Sequence, residues 1–221
     1  SFLLRNQLGF QAPIRGEVGY GNAVHHIMRM IAEQTKATGA LPTPRQINDL
    51  LTFEFFLPFA NKPAHKQMRE NARKLVFKYV NDHQPDLLRT WATERPFELY
   101  LPGVVVSGRA DVIYDGDGTH PENLVIVDYK TSTGGSIEPL QLQANADAGR
   151  RERLNVQGAF VHGLAATQRH IVDVTDATID LYWSLRAEDL PTAITIQAYL
   201  HRTPTDLGRL ITAGAWVRLV K

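Results

Sequence analysis

A short apolar run that ends in alternating charges constrains the fold of this chain more than any other feature. Residues 124–127 are typical of a buried β-strand, and Asp128, Tyr129 and Lys130 follow directly. Residues two apart in a strand point to the same face, so Asp128 and Lys130 should project together, with Tyr129 on the other face. A second acid, Asp111, lies on another apolar run 17 residues upstream. If the two runs pair as a hairpin, Asp111 reaches the same patch.

Two carboxylates and one ammonium at a strand end form a candidate site for a divalent metal with a positioned lysine, as phosphodiester hydrolysis requires. A helix predicted from about Gly21 to Thr38 offers a further ligand. On a wheel at about 100° per residue, His25 lies at the edge of the apolar arc and His26 lies on the polar, solvated face. His25 is therefore half-buried and can face a site, where a neutral imidazole binds divalent metals well. A lone half-buried histidine is more often a hydrogen-bonded core residue, and the helical pattern by itself favours that interpretation.

The other apolar patterns predict helices in the first part of the chain and mainly strands after it. Further helices are predicted from Thr43-Pro44 to about Phe59, from Pro63 to His83, from Gly149 to Thr167, and from Thr203-Pro204 toward Arg218. Strands are predicted at about residues 93–101, 104–114, 124–131, 170–174, 177–184 and 193–200. This order indicates an α/β or α+β domain with a mixed sheet.

Composition narrows the class of protein. The chain has 221 residues, 43% of them hydrophobic, which is enough for one sizeable core. No apolar run approaches the roughly 20 residues that span a bilayer, so no membrane association is expected. The absence of cysteine excludes disulfides, Cys-ligated zinc and a Cys-held iron–sulfur cluster, and it favours the reducing cytoplasm. A net charge of +1 argues against sequence-independent coating of nucleic acid.

Gln157 falls in the middle of the apolar face of the predicted helix 149–167. A buried amide needs hydrogen-bond partners, which are either backbone groups at a sheet edge or the site and its substrate. Arg150, Arg151 and Arg153 fall in the first turns of this helix, where positive charge opposes the helix dipole. Phosphate contact is one interpretation of these arginines, and a solvated cluster is the other.

Glu94 and Glu98 lie on one face of the first predicted strand. Glu94 is either a third carboxylate near the metal or an ordinary exposed residue of the strand. The sequence leaves these two interpretations open.

Together these residues resemble the RecB-type nuclease domain of the PD-(D/E)xK superfamily. The pieces that carry the resemblance are Gly21-Asn22-Ala23-Val24-His25, Glu94, Gly108-Arg109-Ala110-Asp111, Asp128-Tyr129-Lys130-Thr131 and Gln157. Their order and spacing both fit. The resemblance covers about residues 2–186, so we expect a nuclease core with a helical N-terminal part over residues 1–186. Residues 187–221 match nothing we can assign, and we expect a strand and a helix packed on the same domain.

The resemblance implies a restriction-endonuclease-like core, in which helices flank a mixed central sheet. It implies Mg²⁺ or Mn²⁺ bound by His25, Asp111, Asp128 and the backbone carbonyl of Tyr129. It also implies that Lys130 orients or activates the attacking water and supports the charge that develops on phosphorus.

Two departures from the family pattern are visible. Gln157 matches a glutamine motif thought to help engage DNA, but Val161 stands where the family usually has tyrosine. This puts the DNA contact in doubt and leaves the metal site untouched. Many relatives also hold this domain together with four cysteines around an iron–sulfur cluster, and this chain has no cysteine for one.

Relatives of this kind are often joined to a UvrD-like helicase motor. A start without methionine and the lack of an ATPase motif fit an excised nuclease domain or a subunit beside a motor. We therefore expect an exonuclease or end-processing enzyme that acts on single-stranded DNA. The alternative is an inactive nuclease-like module that binds DNA or serves as a scaffold, although the acids, His25 and Lys130 are all present. A site-specific endonuclease would need a base-reading element, which the sequence does not reveal.

Overall fold

A computed structural model describes residues 18–101, 104–116, 123–131, 139–165, 168–176, 178 and 216–219. The helices are α1 (Tyr20–Thr38), α2 (Pro44–Phe53), α3 (Lys62–Asp82), α4 (Gln84–Leu88) and α5 (Pro139–Arg151). The strands are β1 (Thr90–Leu101), β2 (Val104–Asp115), β3 (Leu124–Lys130), β4 (Val156–Gly163), β5 (Gln168–Val172) and β6 (Trp216–Leu219).

Local sequence explains where the first two helices stop and start. Gly39 follows α1 in the left-handed conformation (φ 69°), and its N–H donates to the Thr35 carbonyl. Thr43 caps α2, because its hydroxyl accepts from the Gln46 N–H while the Gln46 side chain accepts from the Thr43 N–H. Both predicted boundaries are confirmed.

The predicted end of α2 at about Phe59 is wrong. The helix stops at Phe53, and the chain continues without regular structure toward Pro58. Proline has no N–H to donate, and it also disfavours helical geometry in the residue before it. A helix across this stretch would therefore break at Pro58.

The predicted helix over residues 149–167 is also wrong. That stretch holds the last residues of α5, a turn and then β4. β4 lies inside the sheet, with Val156 and Val161 packed on one side and Phe160 on the other. Strands buried on both faces lose the simple alternation of apolar and polar residues, so their pattern imitates the apolar face of a helix.

Most predictions for the C-terminal part lie outside the described residues. These include the strand at 193–200, nearly all of the strand at 177–184, and the helix start at Thr203-Pro204. The predicted end of that helix near Arg218 is wrong, because β6 pairs antiparallel with Val104–Ser107 of β2. Its residues Trp-Val-Arg-Leu favour a strand through their aromatic and β-branched members.

The sheet has the strand order β1-β2-β3-β4-β5, and β6 pairs with β2 beside this path. β3 and β4 run parallel and are connected through α5, whereas the other pairs are antiparallel. Helix α5 covers one face of the sheet, and α1 to α4 cover the other. The predicted α/β class, a mixed central sheet flanked by helices, is confirmed.

The two faces of β3 determine where its polar end points. Leu124 and Ile126 pack on the side of α5, whereas Val127 and Tyr129 pack on the side of α1 and α3. By the alternation of a strand, Asp128 continues the α5 side.

Candidate active site

The strands β2 and β3 part at two aspartates. Their last paired residues are Val112 and Val127, so Asp111 and Asp128 stand just beyond the end of the ladder. On this side of β2, pairing with β6 resumes only at Ser107. The short segment of β2 between Ser107 and Val112 carries Asp111, and within the described part of the chain it has no partner strand on this side. The predicted hairpin thus brings both carboxylates to the point where β2 and β3 separate, which we call the fork.

Asp111 connects three elements through one oxygen. Its Oδ2 accepts the Tyr129 N–H at 2.7 Å and so replaces a hydrogen bond of the ladder where the strands separate. The same oxygen lies 3.5 Å from Nδ1 of His25 on α1. The Asp111 side chain is 18% exposed and that of His25 is 26% exposed, so both remain accessible to solvent.

Asp128 and Lys130 project together, as their spacing predicts. Nζ of Lys130 lies 2.7 Å from Oδ2 of Asp128. Asp128 is buried, which raises the pKa of its carboxyl, and the charge of nearby Asp111 raises that pKa further against the opposing effect of Lys130. A buried carboxyl whose proton affinity is raised by a neighbouring carboxylate is also a favourable place for a cation.

The approach of α1 explains the position of His25. A methyl group added at Gly21 would lie 3.3 Å from Oγ1 of Thr131, so the first turn of α1 passes close to the end of β3. His25, one turn later, faces Asp111 as predicted. His26 points elsewhere and bonds to Glu54, with Nε2 and Oε2 3.3 Å apart, so it is half-buried rather than solvated.

The pKa of His25 reflects opposing effects. Burial by itself lowers the pKa of the imidazole. The hydrogen bond to Asp111 and the charges of Asp111 and Asp128 outweigh burial, so the pKa lies above its ordinary value. The site therefore attracts positive charge even onto its own histidine.

Tyr129 is held at both ends, a feature that the sequence analysis missed. Its N–H donates to Asp111, and its buried hydroxyl lies 2.6 Å from that of Tyr114 and 3.2 Å from that of Tyr79. Burial raises the pKa of Tyr129 well above its usual value, so the hydroxyl stays neutral. The only sequence signal was that Tyr114 and Tyr129 fall on one face of neighbouring strands.

Glu94 lies opposite Asp111 in the register of β1 and β2. Its backbone takes a positive φ of 48°, which is uncommon for a residue with a side chain. Its carboxylate pairs with Arg109, with Oε2 and Nη1 3.0 Å apart. Glu94 is thus next to the fork, but its charge is engaged by Arg109.

The interpretation of Gln157 as a buried residue on a helical face is wrong. Gln157 is exposed on β4, and its amide donates to Asn155. Asp128 lies opposite Val161 in the parallel register, four residues further along β4. At about 3.3 Å per residue, Gln157 is therefore about 13 Å from the level of Asp128 along the strand. The structure gives no support to a role at the fork.

The predicted setting of the arginines is likewise wrong. Arg150 and Arg151 lie in the last turn of α5, where positive charge favours the helix dipole. Arg150 donates to the Val156 carbonyl and pairs with Asp176. Arg153 is exposed in the turn that follows, at φ 67°. These contacts explain Arg150 without phosphate, and a role of Arg153 stays a prediction.

Helix α5 supplies polar residues over the fork that the sequence analysis missed. Gln141 Nε2 lies 3.5 Å from the carbonyl oxygen of Arg109. Asn145, one turn later, is 2% exposed and packs against Gly108, where any methyl group would overlap its Oδ1. Their spacing of four residues was the available signal, but the helix had been placed further along the chain.

The donor chemistry of the fork suits a hard divalent cation. Carboxylate oxygens and one imidazole nitrogen are groups that Mg²⁺ and Mn²⁺ accept. Among the described residues, however, no group of three or more His, Asp or Glu side chains is arranged to hold a metal ion. The residues therefore fit a divalent cation by type, and the contacts at the fork join His25 to Asp111 and Asp128 to Lys130.

A family model of the PD-(D/E)XK nuclease superfamily matches residues 1–170. The chain belongs to the PD-(D/E)XK nuclease superfamily. Membership implies a hydrolase of phosphodiester bonds, and enzymes of this superfamily typically act on DNA with a divalent metal. No individually curated protein matches this nuclease-superfamily chain significantly. None of its described helices is both long and apolar enough to cross a membrane.

Proposed function

We propose that this chain is a metal-dependent deoxyribonuclease of the RecB type, which trims or processes the ends of single-stranded DNA. The convergence of Asp111, Asp128, Lys130 and His25 at the fork between β2 and β3 carries this proposal. These residues come from three separate elements, and no requirement of the core explains why two carboxylates meet there.

The metal is proposed to be Mg²⁺ or Mn²⁺, held by His25, Asp111, Asp128 and the backbone carbonyl of Tyr129. When bound, such an ion polarises a phosphoryl oxygen and lowers the pKa of its water. The hydrogen bond and ion pairs that Asp111 and Asp128 make with other described residues use Oδ2 of each carboxylate, and Oδ1 of each is the oxygen proposed to meet the metal. Tyr129 suits the role because Asp111 holds its N–H and buried tyrosines hold its side-chain hydroxyl, so the residue that carries this carbonyl is fixed in place.

Lys130 is proposed to orient the attacking water and to support the charge that develops on phosphorus. Its side chain is 44% exposed, so the ammonium can meet a substrate from solvent. Asp128 holds that ammonium at 2.7 Å, which keeps it beside the fork. Glu94, opposite Asp111, is proposed to hold Arg109 at the rim.

The cellular setting is proposed from the resemblance alone. We place the domain with a UvrD-like helicase motor, in the same polypeptide or complex, in the cytoplasm. The motor would feed unwound strands to the fork. An iron–sulfur cluster held by cysteines has no part in the proposal, because the chain contains no cysteine.

The test measures degradation of end-labelled single- and double-stranded DNA with Mg²⁺, with Mn²⁺ and with EDTA. We expect cleavage only with metal, and its loss in Asp111→Ala and Lys130→Ala. The exposed residues Asp49 and Lys74 provide matched controls, and Asp49→Ala and Lys74→Ala should cut normally. Undiminished cutting by Lys130→Ala or Asp111→Ala would remove the mechanism.

A second function, DNA binding without catalysis, is favoured by one observation. Asp128 is already paired with Lys130, and among the described residues no group of three His, Asp or Glu side chains is arranged to hold a metal ion. If the wild-type chain binds DNA but never cuts it with either metal, this scaffold function replaces the nuclease proposal.

A further inference from the structure

Three exposed phenylalanines lie within seven residues, beginning at the last residue of α2. Phe53 is 80% exposed, Phe56 is 69% exposed and Phe59 is 49% exposed. Large apolar side chains that are exposed this close together in the chain mark a candidate place of interaction. We call these three residues the phenylalanine patch.

The patch lies beside the start of α1, which carries His25. A methyl group at Gly19 would lie 3.8 Å from Cδ of Pro58, which stands between two members of the patch. The rings of Tyr20 and Phe55 meet edge to face at 6.1 Å. From Gly19 to His25 is six residues, or about 9 Å along a helix. The patch is therefore a short distance from the fork.

Basic residues continue the surface directly after the patch. Lys62, Lys66 and Arg69 lie on one side of α3 at spacings of four and three residues. None of their three side chains has an ion pair or hydrogen bond with another residue that the structure describes. Residues 43–78 contain seven Lys or Arg against three acids, although the whole chain has a net charge of only +1.

We propose that the phenylalanine patch stacks unpaired bases of a single DNA strand while Lys62, Lys66 and Arg69 contact its phosphates. Aromatic rings beside a row of cations are the two parts of a surface that binds single strands without reading their sequence. Bases within a duplex are stacked on one another, so only a single strand or a frayed end can present its base faces to these rings. Glu54, the one acid between Phe53 and Phe59 in the sequence, is paired with His26. The inference rests on the proposed nuclease function for where the strand leads, but binding itself needs no metal.

The charges favour DNA over a protein partner as the occupant. An apolar protein partner would gain no binding free energy from the neighbouring row of cations, whereas a polyanion such as DNA would. Continuity with the proposed site supports the same choice, because a strand held at the patch would have its end near His25.

The experiment measures binding of fluorescent oligothymidylate by anisotropy in EDTA, so that no cleavage occurs. An abasic strand of the same length has the same phosphates but no bases, and it separates stacking from charge. We expect the wild-type chain to bind oligothymidylate at least about tenfold more tightly than the abasic strand. The variant with Phe53→Ala, Phe56→Ala and Phe59→Ala should lose this preference and keep its affinity for the abasic strand.

Two further variants complete the design. Lys62→Ala with Lys66→Ala should weaken binding of both strands alike and make it less dependent on salt, by about 0.7 in slope per lost phosphate contact. Ile171, which is 89% exposed on β5, is the matched apolar control, and Ile171→Ala should change neither affinity. Phe53→Ala alone, at the most exposed ring, gives a second measurement if the triple variant does not fold.

Three outcomes would overturn the proposal. The wild-type chain could show no preference for bases over the abasic strand. The phenylalanine variants could retain the full preference. Light scattering could show that the triple variant changes oligomeric state while DNA binding is unaltered, in which case the patch docks protein. By contrast, a wild-type chain that prefers bases over the abasic strand but never cuts DNA would contradict the nuclease proposal. The proposal that the phenylalanine patch binds single-stranded DNA would still hold.

Discussion

Asp111 combines a structural and a chemical task in one carboxylate. Its Oδ2 satisfies the Tyr129 N–H where the ladder ends, and it faces His25 as well. Removing the side chain therefore leaves a backbone donor without its partner, in addition to removing a charge. The two tasks can be separated, because an amide keeps the acceptor oxygen and loses only the charge.

We predict that Asp111→Asn folds with near wild-type stability and does not cut DNA. Asp111→Ala should also be inactive, but it should lower the free energy of unfolding by about 1–3 kcal/mol, the cost of an unsatisfied polar group. Urea denaturation and cleavage assays on both variants give the two readouts. Equal destabilisation by both substitutions would show that the hydrogen bond from the Tyr129 N–H contributes nothing measurable to stability.

His25 and His26 provide a neighbouring pair for testing the direction of α1. His25→Ala should weaken Mn²⁺ binding about tenfold or more, since an imidazole donor is lost. His26→Ala should leave Mn²⁺ binding nearly unchanged, because His26 contacts Glu54 instead. Isothermal titration calorimetry measures both affinities, and the reverse ranking would contradict the assignment of His25.

The positions of individual site residues could be predicted where the regular period of a strand or a helix determines which side chains share a face. The two-residue period of a strand placed Asp128 beside Lys130, and the helical period turned His25 toward Asp111. The pairing of Glu94 with Arg109 could not be predicted, because it depends on a locally irregular backbone at φ 48°.

The contact between α5 and β2 explains the glycine at position 108. Asn145 on α5 is buried against Gly108, and a larger residue there would overlap its side-chain oxygen. The helix can therefore lie close above the segment that carries Asp111. The same contact leaves Nδ2 of Asn145 without a hydrogen-bond partner among the described residues.

We predict that Gly108→Ala destabilises the fold by about 1–3 kcal/mol, as overpacking of a core usually does. Asn145→Ala in the same chain should restore part of that loss, because it removes the atom with which the methyl group collides. The interaction energy from a double-mutant cycle by thermal or urea unfolding measures this coupling. Strictly additive effects would mean that the two residues do not meet.

The boundaries of helices could be predicted from the sequence where a capping residue marked them. They could not be predicted where burial on both faces removed the two-residue alternation of a strand. Thr43, with its capping box, and Gly39 placed the adjoining ends of α2 and α1 correctly. β4 was mistaken for a helix because it is buried on both faces between α5 and α3. That error also misplaced Gln157 and hid the residues of α5 that lie over the fork.

The stability of the whole molecule should depend on one buried histidine. His162 is fully buried, and neither ring nitrogen has a hydrogen-bond partner among the described residues. Burial, together with the charges of His83 and Arg169, lowers the pKa of His162 to about 4. Between that value and the ordinary pKa of about 6.5, the unfolded chain binds a proton that the folded chain excludes.

We predict that the free energy of unfolding falls as the pH is lowered from about 6.5 toward 4, by up to about 3 kcal/mol from His162. His162→Phe keeps an aromatic ring beside Tyr79 and removes both nitrogens. The difference in unfolding free energy between this variant and the wild-type chain should therefore grow in favour of the variant as the pH falls. Urea denaturation at several pH values measures it, and a constant difference would exclude His162 as the cause.

The packing of distant segments was beyond sequence patterns. The three tyrosine hydroxyls meet only because α3 crosses the face of β2 and β3, which brings Tyr79 to Tyr114 and Tyr129. No local period specifies such a crossing. The assignment of residues 1–186 and 187–221 as nuclease core and C-terminal part stays a prediction.

The pairing of β6 with Val104–Ser107 has a practical consequence for anyone who shortens this chain. Deleting residues 187–221 would strip that part of β2 of its neighbour and bare its backbone N–H and C=O groups. Such an open edge recruits strands from other molecules. A truncated protein should therefore aggregate on storage. Its poor solubility could be mistaken for a failure of residues 1–186 to fold.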